Sequence, residues 1–278
     1  MYDELSHSIL ERLEKDFHKE IFRSSMEILK VPNISTKFSN FATNIRELTR
    51  EVFYTLAPDD EVKKCKWYKK ETMEGEADIT RIQRMMYAIK GGLSDSFIKE
   101  ELELDFTEVT KKLNQVIRNL NKYTHINEKV YYREEKVGFE MVEKTLISLD
   151  AFLRTIEHIR SEFISRLEDR LYSRVSEALT EDVIQEIDIL ATHYYVDGST
   201  VDHITVEEIT STNIYLNVTG SVDVEHQFGS DGDFRRGDGA RIESSYPLSF
   251  SITLDIAHPL EFSLESEDVF VDNSSYYE

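Results

Sequence analysis

The chain has 278 residues, 31% of them charged, and a formal net charge of −21. That length suits one large or two ordinary domains with a buried core, and so large an acidic surplus repels nucleic acid at long range, which excludes a general nucleic-acid coat. Cys65 is the only cysteine, so neither a disulfide framework nor a thiolate metal cluster is available.

Residues 2–30 read as one helix, with Leu5, Ile9, Leu13, Phe17 and Ile21 four apart on a stripe, stopped by Pro32. These first residues are charged and lack the apolar centre of a signal peptide. No stretch approaches the ~20 apolar residues of a membrane span, so the expectation is a cytoplasmic chain with no membrane partner. A second helix is predicted from about Asn44 through Leu48 and Val52 to Leu56, closed by Pro58. The only basic cluster follows: Lys63, Lys64, Lys66, Lys69 and Lys70, interrupted by Trp67 and Tyr68. Lysines interleaved with aromatics suit single-stranded RNA, and the same pattern also suits a solvated linker with two anchoring rings.

A helix over 78–90 runs into Gly91-Gly92, and Ser94 then caps a short helix through Phe97 and Ile98. Asp105 with Glu108 starts a further helix that buries Phe106, Val109, Leu113, Val116 and Ile117 and delivers Arg118 near its end. Asn119 and Asn121 disfavour helix interior, so the chain is expected to bend there. Two long helices are predicted next, over 134–159 and 161–190, with burial stripes Leu146/Leu149/Leu153/Ile156 and Ile164/Leu167/Leu171/Val175.

After His193 the period of the apolar residues changes from 3.6 to 2, through Ile204/Val206, Ile214/Leu216/Val218, Val222/Val224 and 248–256, which predicts antiparallel strands. Residues 229–239 look too Gly-rich for regular structure, and the acidic tail from Glu265 is expected to be partly disordered. Residues 196–278 hold 3 basic and 17 acidic residues, a balance of −14, which leaves −7 for the other 195. The expected fold is therefore α+β, with a helical domain over 1–195 and a smaller acidic antiparallel β domain over 196–278. Within the first, 1–60 is a helical N-terminal part, 61–77 a basic linker and 78–195 a core.

The run Arg118-Asn119-Leu120-Asn121-Lys122-Tyr123-Thr124-His125 carries the most specific chemistry. A permanently cationic guanidinium beside an imidazole that titrates near neutrality is the minimal equipment for metal-free phosphodiester chemistry. With 16 arginines and eight histidines, about one such spacing is expected by chance, and Arg12 with His18 supplies a second, which reads as a solvated helix face. An arginine followed at once by a polar residue and then by a histidine resembles the motif of the HEPN superfamily of ribonucleases. The wording Tyr87-Ala88-Ile89-Lys90-Gly91-Gly92-Leu93-Ser94, Leu120-Asn121-Lys122-Tyr123-Thr124-His125-Ile126 and Ala191-Thr192-His193, with the later Arg235-Arg236-Gly237-Asp238-Gly239 loop, is similar to a narrower bacterial family. Its members are predicted nucleases of conflict islands, some near PIWI-type genes.

That resemblance implies a homodimeric endoribonuclease that needs no metal or other cofactor, with paired motifs facing across one cleft and RNA as substrate. It implies attack of a ribose 2′-hydroxyl on the adjacent phosphate, with His125 as general acid or base, Arg118 holding the phosphate and Asn119 orienting one of them. A defence or toxin-like role follows from the same resemblance. The Tyr/Phe-rich β region suits a regulatory protein or ligand, and His193 reads as a packing residue. Two alternatives stay open: a non-catalytic dimeric scaffold, and a metal-dependent nuclease using Asp231, Asp233 and Asp238 beside His226. For the latter, Arg235 and Arg236 inside the cluster favour an internal Arg–Asp salt bridge instead.

Overall fold

The computed structural model describes residues 2–70, 77–132 and 134–277. The chain divides into two compact units, Met1–Arg160 and Ser161–Glu278. The shift in composition at residue 196 coincides instead with the change from helix to strand at His193.

The first unit is helical: α1 (Asp3–Arg12), α2 (Asp16–Lys30), α3 (Lys37–Leu56), α4 (Asp59–Lys64), α5 (Arg81–Lys90), α6 (Thr107–Thr124), the short α7 (Glu128–Tyr131) and the first part of α8 (Glu135–Glu181). The helices α2, α5 and α6 pack against α3. Ile9, Phe22, Phe41, Ile45, Leu48, Leu146 and Phe152 are buried in its core. Each such burial stabilises by about 1.5–3 kcal/mol.

The expected helix over 2–30 is two helices. Leu13 and Lys15 both adopt extended backbone, and the break resets the helical phase. Phe17 is 58% exposed as a result, while His18, Phe22 and Leu29 form the buried stripe of α2. No glycine or proline marks the break, so periodicity alone ran the two helices together. Arg12 and His18 are likewise no solvated pair: His18 is buried, and Arg12 bonds Glu157 at 2.7 Å and Ser8.

Helix α3 starts seven residues before the expected Asn44, and Pro58 ends it as expected. Thr80 starts α5 through a reciprocal pair of bonds with Gln83, and Gly91, with φ 54°, ends it. Ser94 accepts from the Phe97 amide at 3.1 Å, as expected of a cap.

The predicted bend at Asn119 is absent: α6 runs straight on to Thr124. Ile117, Leu120 and Tyr123 are buried at helical spacing, and that packing outweighs the weak preference of the two asparagines. The two helices expected over 134–190 are one 47-residue helix, α8. Nothing in it beyond Gly138 in its first turn favours a stop.

In the second unit α8 buries Phe163, Leu167, Leu171 and Val175. After α9 (Gln185–Asp188) come β1 (His193–Ile209), β2 (Asn213–Phe228), β3 (Ala240–Asp255) and β4 (Phe270–Val271), an antiparallel sheet in sequence order. The segments 214–218 and 222–224 are one strand joined through Gly220. Three register shifts in β1 explain why its alternation was legible only over 204–206. His193 is exposed at the start of β1 rather than packed.

Residues 229–239 do contain regular structure, the helix α10 (Asp231–Arg236). Its start is fixed by Asp233, which accepts from the Ser230 amide at 2.8 Å. Residues 265–277 are ordered: β4 pairs with Leu248 and Ser249, and the Tyr276 hydroxyl donates to the Leu190 carbonyl at 3.0 Å. Among the described residues no helix is long and apolar enough to cross a membrane.

Candidate active site

Helix α6 places Arg118 on its solvent face two turns before its end, and His125 follows that end in extended backbone (φ −99°, ψ 107°). Both side chains are exposed, and among the described residues no hydrogen bond joins them. The unbent helix sets their Cα atoms about 10 Å apart along its axis. Asn119 lies about 100° round the helix from Arg118. It lines a separate groove of 280 Å³ with Lys122, Tyr123, Glu140 and Lys144. Asn121, three residues after Arg118, stays on the arginine side.

That side opens into a cleft of 480 Å³ between α3, α5 and α6, lined by Arg46, Arg50, Arg81 and Arg84 with Asn121 and, among the described residues, a single carboxylate, Glu47. Arg84 is committed elsewhere: it donates to the Ala57 carbonyl at 2.7 Å and to Asp59 at 2.6 Å, and stacks 3.8 Å over the Tyr54 ring. Arg50 is paired with Glu47 and Glu51, each at 3.0 Å. Arg46 donates to the Asn121 side-chain oxygen at 3.3 Å and touches Glu47 only at 3.4 Å. Arg81 donates to the side-chain oxygen of the buried Asn114 at 3.2 Å and has no carboxylate partner among the described residues.

Burial, then the neighbouring charges of Arg118 and Arg46, lower the pKa of Arg81 from its ordinary value. A guanidinium stays protonated at neutral pH even so. The cleft is therefore a concentration of positive charge inside a chain of net charge −21. Sequence reasoning missed Arg46, Arg81, Asn114 and Asn121 as a group because three separate elements supply them. Only the lowered pKa and the packing reveal them.

The basic cluster is built differently. Lys63 and Lys70 both pair with Asp78, at 3.2 and 2.8 Å, and Lys64 pairs with Glu61 at 2.8 Å. Trp67 donates its indole N–H to the Gly91 carbonyl at 2.8 Å and packs with Tyr68 against the small core of Ala57, Val62, Cys65, Ile79 and Tyr87. Lys66 and Lys69 are exposed, with no ion pair among the described residues. The fully buried Lys90 ammonium reaches Asp95 at 2.5 Å and sits 5.0 Å over the Trp67 ring. Burial pushes the Cys65 thiol up to about 12, which makes it a packing residue and not a nucleophile.

In the second unit Asp233 is held by Ser230 and by Arg236 at 2.5 Å, the internal salt bridge expected of that loop. His226 is buried, bonded to the Tyr246 hydroxyl at 2.8 Å. Among the described residues no group of three or more His, Cys, Asp or Glu is arranged to hold a metal ion.

A helical unit with an arginine-lined cleft, beside an exposed arginine and histidine on one helix, is equipped to bind phosphate groups. The chain belongs to the family of predicted pPIWI-associating nucleases. Two models so described match residues 10–149 and 156–277. No curated protein and no solved structure matches it.

Proposed function

We propose that this nuclease-family chain is an endoribonuclease that works without a metal ion, with Arg118 and His125 as its catalytic residues. The observation that carries the reading is that Arg118 lies close enough to Arg81 of the arginine cleft for its charge to act on it, with an exposed histidine at the end of the same helix. The ribose 2′-oxygen forms a bond to the adjacent phosphorus as the bond to the 5′-oxygen breaks. One imidazole takes the 2′-hydroxyl proton and another gives a proton to the departing 5′-oxygen, which leaves a 2′,3′-cyclic phosphate. Arg118 stabilises the charge that builds on the phosphoryl oxygens.

Two imidazoles in these roles call for two chains, because one chain offers one His125. The reading therefore includes a homodimer whose paired α6 ends share the cleft. Asn119, on the neighbouring groove, acts in this reading on the helix end and not on the scissile phosphate. A defence or toxin-like role in the cytoplasm, with the β region as the regulatory surface, belongs to the same proposal. The test is cleavage of a mixed RNA pool in EDTA by wild type, Arg118→Ala and His125→Ala. Cutting by wild type alone, with cyclic-phosphate ends, supports the reading. Cutting that needs added divalent metal, or that survives in His125→Ala, overturns it.

A further inference from the structure

Arg46 and Arg81 are held in place by neutral acceptors, the side-chain oxygens of Asn121 and Asn114. An amide oxygen orients a guanidinium without cancelling its charge, unlike the carboxylates that satisfy Arg50 and Arg84 in the same cleft. Among the described residues the one carboxylate lining the cleft, Glu47, is divided between Arg46 and the closer Arg50. With 54 acidic residues in the chain, the lack of a carboxylate partner for Arg81 among the described residues is not a shortage of acids. Like charges gathered on three packed helices repel one another, and an anion held in the cleft removes that repulsion. Planar guanidinium forks match phosphate oxygens two at a time. The 480 Å³ of the cleft falls within the usual range for small-ligand sites.

We propose that Arg46 and Arg81 form a phosphate subsite that holds the backbone of a single RNA strand beside Arg118. Asn114 and Asn121 are positioning residues that keep the two guanidinium forks turned into the cleft. The proposal rests on the nuclease reading above for its ligand, and it adds a binding element separate from the residues that do the chemistry. Selectivity for a single strand follows from local charge: the acidic remainder of the surface repels the denser phosphates of a duplex, while one short track of arginines suffices for one strand.

The test is fluorescence anisotropy with a labelled, uncleavable 2′-O-methyl RNA oligonucleotide and the full chain at two salt concentrations. Arg46→Gln and Arg81→Gln are each expected to weaken binding about tenfold, the worth of a charge-assisted hydrogen bond. Each is also expected to lower the salt slope by about 0.7. Arg23→Gln, an exposed arginine outside the cleft, controls for bulk charge, and thermal melting checks that the variants fold. Arg46 is partly exposed, so its variant carries the test if Arg81→Gln fails to fold.

Undiminished binding by a folded Arg46→Gln, an equal loss in Arg23→Gln, or no binding by wild type would overturn the subsite. His125→Ala separates the two proposals: it is expected to bind like wild type and not cut. If it cuts, the catalytic assignment fails while the binding result for the arginines stands.

Discussion

Arg81 and Lys90, at opposite ends of α5, show two ways of holding a cation partly or wholly away from water. Lys90 is fully buried but has Asp95 and the face of Trp67. Among the described residues Arg81 has an amide acceptor and two like-charged neighbours, and no carboxylate. Asp95→Asn strips the buried ammonium of its carboxylate partner and should cost about 1–3 kcal/mol, read by urea denaturation. An unchanged midpoint would mean that Trp67 and water alone satisfy Lys90. For activity, loss of His125 should lower the cleavage rate by about 10²–10⁴-fold, the usual worth of a positioned general acid or base. Single residues were legible in the sequence where local chemistry announces them: the Ser94 cap, the Gly91 stop, the Arg236–Asp233 pair. Arg46 and Arg81 were not, because helix-surface arginines look alike until the packing of α3, α5 and α6 brings them together.

Strand β2 illustrates what a whole element demands of one position. At Gly220 a Cβ atom would lie 1.9 Å from the backbone oxygen of Thr200 in β1. Backbone cannot yield as a side-chain tip can, so Gly220→Ala should destabilise the sheet by about 1–3 kcal/mol, measurable as a drop in denaturation midpoint. Helix α2 and strand β2 each bury a histidine, His18 and His226, and burial lowers the pKa of both below the ordinary imidazole value. As pH falls through about 6.5 the unfolded chain takes up protons at these sites before the folded chain does. Their contribution is therefore complete above that pH and is lost as pH falls toward the lower native values. Urea midpoints should fall between about pH 7.5 and pH 5.5, and His226→Gln should flatten part of that slope. The type of the long elements was legible, because the period of the apolar residues changes at His193, where β1 begins; the short α10 and β4 were not, lying in a Gly-rich run and an acidic tail without a periodic stripe. Element ends were less so: no glycine or proline marks the α1–α2 break, and α8 was read as two helices although no residue near 160 favours a stop.

At the scale of the whole chain, net charge and local charge oppose each other. A surplus of −21 weakens encounter with any polyanion, and the arginine cleft is the local exception. RNA binding should accordingly be weak and strongly salt-dependent, losing affinity on a log–log plot with a slope near −2 if about three phosphates are neutralised. A slope near zero would show that binding is not ionic.

The single cysteine has a practical consequence. Cys65 is 4% exposed, and its thiol is pushed up to about 12. The native chain should therefore be nearly inert to disulfide reagents, and any labelling must pass through opening of the small core around Trp67 and Tyr87. With no other thiol to confuse the signal, the labelling rate becomes a built-in clock for that opening. Run with and without the uncleavable oligonucleotide, the clock would report whether RNA in the neighbouring cleft slows the breathing of the α4–α5 corner.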